Sequence, residues 1–215
     1  MPAISPAAVK KAANVPADPA LSLYQKLSLE EKGLSFDAFS LALKGYNRLL
    51  ANNRITRTGI ISICDFSQSS GNKRMYIVDL DNQALFLQTY VAHGRNSGGE
   101  FATRFSNKPE SLQSSLGFYV TSQTYQGAHG LSLRMMGQEP GINDKALQRN
   151  IVVHGADYIE EEWLRKSDRM GRSFGCPAVP ADESAHIINT IKNGTCLFIY
   201  HPGAGYVQRS KILNG

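Results

Sequence analysis

His154 and Cys176 stand in sequence contexts that would expose them for chemistry. His154 closes the apolar run Ile151-Val152-Val153 and is followed at once by Gly155. Cys176 lies in Arg172-Ser173-Phe174-Gly175-Cys176-Pro177, a tight segment that begins after Gly171. A His at a strand end and a Cys in a glycine-shaped loop are the parts of a thiol nucleophile and its base. The competing reading is a structural cysteine, because free Cys is often a small core residue. A core cysteine, however, needs neither the Gly before it nor the Pro after it. A free thiol has a pKa of about 8.5 and is only a few per cent ionised at pH 7. A paired imidazole that lowered it to about 6 would leave most of it as thiolate. Gly175 lets the backbone approach a substrate carbonyl. Pro177 has no N–H to offer an oxyanion, so the amides of Gly175 and Cys176 are the first candidates for that task. Ser173 either hydrogen-bonds substrate or orients the loop.

The other reactive side chains have blander expectations. His93 and His129 each precede a Gly in expected loops; either could line the site, but a solvent-exposed loop position is the favoured reading. His186 falls in the last expected helix and His201 at a strand end, neither with an evident partner. Zinc needs three or four ligands at suitable spacing. The chain has no His-Glu-x-x-His and no Cys-x-x-Cys, so no metal or other cofactor is expected. Cys64 and Cys196 sit inside apolar runs and read as core strand residues, with a disulfide between them left open.

These residues need a scaffold, and 215 residues with 42% hydrophobic content are enough for one real core. Nineteen glycines favour a β-rich fold. The net charge of +5 suits an anionic partner, but the basic residues are scattered, so no nucleic-acid footprint is expected. No stretch approaches the roughly 20 apolar residues of a membrane span. No charged start precedes an apolar segment, so the chain reads either as cytoplasmic or as an exported protein with its signal removed. Residues 1–18, rich in Ala and Pro, read as a flexible lead-in, and 19–54 as a helical segment. Within that segment, Ser28-Leu29-Glu30-Glu31 has a capping-box pattern for a short helix ending near Gly33. Ser35 can cap a longer helix with Phe36, Phe39, Leu43, Tyr46 and Leu50 on its packing face. Residues 55–215 read as the catalytic body. Its expected strands are 59–64, 74–80, 84–91, 117–122, 132–136, 150–153 and 196–200, with Asp81-Asn82 turning a hairpin. A short helix is expected near 160–165, and a second carries Ile187, Ile188 and Ile191 and ends at Gly194. Tyr125 then falls in a loop that could form a lid over the site.

His154-Gly155 followed by Ser173-Phe174-Gly175-Cys176 resembles the catalytic motif of the L,D-transpeptidase family with a YkuD-type domain. The segments His93-Gly94-Arg95, Arg104-Phe105-Ser106-Asn107, Ser114-Ser115-Leu116-Gly117-Phe118-Tyr119 and Cys176-Pro177-Ala178-Val179-Pro180 resemble its murein L,D-transpeptidase branch, over roughly residues 55–202. The resemblance implies a β-rich α+β fold, a YkuD-like mixed β-sandwich with N-terminal and short peripheral helices. It implies a periplasmic or secreted enzyme whose partners are peptidoglycan stem peptides and whose thiol carbapenems can acylate. Cys176 would form a thioester with the third stem residue, releasing D-alanine, and a neighbouring amine would resolve it into a 3→3 cross-link. His154 would serve as base and acid, held by the Gly155 carbonyl. The chain departs from the family at Ala178, where Arg or Asn is common. Arg172 and Arg149 are the candidates to replace that side chain in substrate binding. Two other outcomes stay open: an L,D-carboxypeptidase in which water resolves the thioester, and a wall-binding domain that makes no use of the thiol. A papain-type protease is disfavoured by the order His then Cys and by the missing Cys-Gly-Ser-Cys-Trp neighbourhood.

Overall fold

In a computed structural model, which describes residues 18–167, 169–203 and 205–215, the alternating and apolar runs become eight strands of one mixed sheet. They are β1 (Ile60–Asp65), β2 (Met75–Asp79), β3 (Ala84–Thr89), β4 (Gly117–Gly127), β5 (Gly130–Gly137), β6 (Val152–Ala156), β7 (Ala178–Pro180) and β8 (Cys196–Tyr200). Their order across the sheet is β3-β2-β1-β8-β4-β5-β6-β7. β1/β8 and β6/β7 run parallel, and the other neighbours run antiparallel. The two edges of the sheet meet. The Ala92 N–H, just past β3, donates to the Ala178 carbonyl on β7 at 2.8 Å. The expected β-rich α+β fold is therefore present, with its sheet closed through this seam. The lead-in expected for residues 1–18 lies, apart from Asp18, outside the described residues.

Six helices surround the sheet among the described residues: α1 (Pro19–Lys26), α2 (Phe36–Ala51), α3 (Glu161–Lys166), α4 (Ala181–Ile191), α5 (Tyr206–Arg209) and α6 (Lys211–Asn214). The first differs from expectation. Helix α1 starts at Pro19 beneath the Asp18 cap, and residues 27–33 are turns. Ser28 has a φ of +50°, a left-handed conformation that cannot serve as an N-cap. Ser35 does cap α2, its hydroxyl accepting from the Ala38 N–H.

Of the expected packing stripe of α2, Phe36, Phe39, Leu43 and Tyr46 pack on the core, and the difference lies at its end. Leu50 is exposed, and the buried face runs through Ala38, Phe39, Ala42, Gly45, Tyr46 and Leu49. Small residues on that face let the helix sit close to the sheet. A Cβ at Gly45 would lie 1.9 Å from the Phe118 ring on β4, and Phe118 itself stacks on Phe198 of β8. Gly45→Ala is thus expected to destabilise the protein by roughly 1–3 kcal/mol through overpacking, despite alanine's better helix propensity. Urea unfolding would check this.

On the other flank, α4 buries Ile187, Ile188 and Ile191, and Gly194 follows with a φ of +97°. The C-terminal helices are tied to β4 by buried Glu139, which accepts from the Phe118 N–H and from the hydroxyls of Tyr206 and Ser210. Cys64 and Cys196 are free thiols, buried on adjacent strands; they face Ile199 and Ile61 across the ladder rather than each other.

Candidate active site

β6 carries His154 into the structure beside Ala178 on β7, so two parallel strands bring the imidazole and the segment around Cys176 together. Cys176, His154, Ser173, Arg172, Arg149 and Tyr125 all line one cavity of about 430 Å³. Gly155 lines the adjoining cavity.

The base is well defined. Nδ1 of His154 lies 2.8 Å from the Gly155 carbonyl. A carbonyl can only accept, so Nδ1 carries the proton and Nε2 keeps a lone pair. Burial holds the His154 pKa below the ordinary imidazole value; the Gly155 carbonyl opposes this and nearby His129 adds to it. The ring is neutral near pH 7. His129 stacks on it with centroids 4.4 Å apart. His129 is exposed, as expected, and also lines the site, because it stands at the tip of the β4–β5 hairpin.

The thiol is half-buried and donates to the Asn150 carbonyl at 3.6 Å rather than to the imidazole. Burial raises its pKa above the ordinary cysteine value, while the Val152 amide and the Arg149 guanidinium pull the other way. A paired imidazolium would lower the thiol pKa, but here desolvation is the larger influence and acts in the opposite direction. The resting pair is thiol and neutral imidazole, not thiolate and imidazolium.

Ser173 is committed to the loop. Its hydroxyl donates to the Cys176 carbonyl at 2.6 Å and accepts from the Gly175 N–H at 3.1 Å. That occupies the Gly175 amide and removes it from the candidate oxyanion donors. The Cys176 N–H makes no hydrogen bond among the described residues and remains available. Gly175 has a φ of +123°, and a Cβ there would lie 2.7 Å from the Gln113 carbonyl, so the turn admits only glycine without strain.

The two candidate substrate arginines are both braces. Arg149 donates to the Ser106 and Gln113 carbonyls and to the hydroxyls of Ser111 and Ser115. It thereby fixes the loop that packs under Gly175. Arg172 donates to the Arg95 and Gly98 carbonyls. Tyr125 is in β4, not in a loop. A register shift between Thr121 and Thr124 lets the strand continue past its expected end to Gly127. The Arg134 guanidinium lies over the Tyr125 ring at 4.9 Å.

His93, expected at the surface, is fully buried. Arg74, itself fully buried, donates to His93 Nδ1 at 2.8 Å and to the Val91 and Gln68 carbonyls. The backbone of His93-Gly94-Arg95 pairs in turn with Ser173: the Ser173 N–H donates to the His93 carbonyl, and the Arg95 N–H to the Ser173 carbonyl. A buried cation thus supports the start of the nucleophile loop through one backbone ladder. His201 and His186 also have partners, the rings of Phe105 and Phe86. Tyr158 and Asn150 line the cavity and went unnoticed in the sequence. Asn150 has a left-handed φ of +53°, for which asparagine is a favoured non-glycine residue.

Sequence comparison matches residues 30–200, from the turn before α2 to the end of β8, with a family model described as L,D-transpeptidase catalytic domain. A search of curated proteins gives no significant match. Among solved structures, the chain is similar to an L,D-transpeptidase from Mycobacterium smegmatis, with 11% identity and a TM-score of 0.41, covering 66% of this chain and 59% of that one. It is similar also to an L,D-transpeptidase mutant from Enterococcus faecium, with 11% identity and a TM-score of 0.41, over 66% and 50%. A third match is a fused Zn-dependent amidase/peptidase/peptidoglycan-binding protein from Clostridium acetobutylicum, with 18% identity and a TM-score of 0.39, over 76% and 62%. The chain therefore spans between half and two thirds of the length of these solved relatives.

Proposed function

The chain belongs to the L,D-transpeptidase catalytic domain family, whose members are cysteine-dependent enzymes, and from that premise we propose that it joins peptidoglycan stems by 3→3 cross-links. The observation that carries this reading is the tautomer of His154, set by the Gly155 carbonyl, in the same cavity as a free thiol and an unpaired Cys176 N–H. His154 Nε2 takes the thiol proton as Sγ attacks the carbonyl of the third stem residue. The Cys176 N–H receives the oxyanion. His154 then protonates the departing D-alanine amine, leaving a thioester on Cys176. An amine from a second stem, deprotonated by His154, attacks the thioester carbonyl. Sγ leaves and recovers a proton as the cross-link forms.

Arg149 and Ser173 act as positioning residues in this scheme. Arg149 adds positive charge beside the thiolate as it forms, and Ser173 fixes the turn that presents Cys176. Ala178, which stands in place of a longer polar side chain, is fully buried with its carbonyl paired to the Ala92 N–H, so it offers the substrate no contact. A peptidoglycan substrate implies work in the cell envelope, and so an exported protein. Among the described residues no helix is long and apolar enough to cross a membrane.

Incubation with tetrapeptide muropeptides followed by mass spectrometry tests the reaction. Dimers with loss of D-alanine are expected. Tripeptides alone would mean that water resolves the thioester, and unchanged material would leave a wall-binding role. By analogy with an L,D-transpeptidase solved in complex with imipenem, that carbapenem is expected to add its mass covalently at Cys176.

A further inference from the structure

Next to the catalytic cavity, and sharing Arg172 and Phe174 with it, lies a second cleft of about 340 Å³. Its walls carry Arg95, Arg169 and Trp163 as well. Phe174 is 66% exposed and Trp163 45% exposed, although both are large and apolar. Arg95 lies over the Phe174 ring at 5.7 Å, and both Arg95 and Arg169 are exposed. No carboxylate of the described residues pairs with either guanidinium, whereas Lys73 and Lys166 nearby do have such partners. Exposed aromatic faces beside unpaired arginines form an amphipathic surface suited to a ligand with a flat apolar face and an anionic group.

We propose that this cleft is a subsite for the sugar-proximal end of the donor. The pyranose face of the disaccharide lies against Trp163, and the free α-carboxylate of the second stem residue lies between Arg95 and Arg169. This rests on the peptidoglycan reading above. Continuity through Arg172 and Phe174 gives the direction. With the third stem residue at Cys176, the second residue and the sugar extend across Phe174 into the cleft. Charge separates this face from its neighbour on the other side of α3. That groove is lined by Glu160, Glu161, Glu162, Asp182 and Glu183 against one cation, Lys73, and its net negative charge would repel an anionic stem. Arginine supplies the bidentate geometry that a carboxylate takes, and Trp163 supplies a broad face with one polar edge.

Trp163 is the single tryptophan of the chain, so its emission reports this cleft alone. The full chain carrying Cys176→Ala, which cannot turn over, is titrated with disaccharide-tetrapeptide and with the sugar-free tetrapeptide. In parallel, each ligand is tested for protection of Cys176 in the unsubstituted protein against iodoacetamide. The expected result is a saturable shift of Trp163 emission to shorter wavelength with the disaccharide-peptide only, and at least fivefold tighter binding of it than of the sugar-free peptide. Adding Arg95→Ala and Arg169→Ala is expected to weaken that binding five- to tenfold at an unchanged melting midpoint. Equal protection of Cys176 by both peptides with no change in emission would overturn the subsite and leave the transferase reading standing. A shift that the arginine substitutions do not weaken would also overturn it. Failure of both peptides to protect Cys176, again with no shift in emission, would overturn both readings.

Discussion

Replacement of His154 by Ala is expected to slow acylation of Cys176 by about 10²–10⁴-fold, the usual contribution of a positioned general base. Single-turnover mass spectrometry of the acyl-enzyme measures it, and Cys176→Ala marks complete loss. The large effect follows from the resting state. Burial holds the thiol pKa up and the imidazole pKa down, so little thiolate exists before substrate arrives. Proton transfer must accompany attack, and Nε2 is the acceptor that the Gly155 carbonyl leaves free. The pH dependence has two signs. Acylation is lost in acid as His154 protonates, and because its pKa is lowered, that loss falls below the ordinary imidazole range. Alkylation by iodoacetamide, which needs thiolate and no enzyme chemistry, should rise only above the ordinary cysteine range. An alkylation midpoint below pH 7 would show a preformed ion pair and overturn this account.

His93→Asn is expected to reduce the acid sensitivity of the fold. Burial, reinforced by the Arg74 cation, pushes His93 down from 6.5 to about 3. Between those values the unfolded chain binds a proton that the folded chain refuses, so stability is full above pH 6.5 and falls as pH drops through the window. The loss from this residue is on the order of 4 kcal/mol by pH 3. Asparagine keeps an oxygen to accept from Arg74 and does not titrate. Urea unfolding of both proteins at pH 7 and pH 4 measures the difference. The variant should lose less stability on acidification, even if it starts lower at pH 7 through loss of ring packing. Equal losses would mean that His93 is protonated in the native state.

The nucleophile and base were legible because their punctuation is local: Gly155, Gly175 and Pro177 stand beside the residues they shape. The longer strands and α4 were legible through their apolar runs. The burial of His93 was not, because its partner Arg74 lies in another strand region and nothing adjacent in sequence signals the pair. Three-residue β7 is too short for any periodicity to show, and the bulge in β4 hid the continuation of that strand through Tyr125. The packing face of α2 was legible through Phe36, Phe39, Leu43 and Tyr46, but its closest approach to Phe118 was not, because small size at Gly45 rather than hydrophobicity decides it. Ser173 offered two roles in the sequence, and only the folded turn shows its hydroxyl bonded on both sides.

The seam at Ala92 and Ala178 has a kinetic consequence. It joins residues far apart in the chain, so its loop entropy must be overcome before the pairing yields any stabilisation. Contacts of such high sequence separation slow folding. The Cys176 segment is held between this seam and the Ser173 ladder, so a chain in which neither has formed has no base arranged beside its thiol. The topology withholds base-assisted attack until the strands on both sides of the seam have paired.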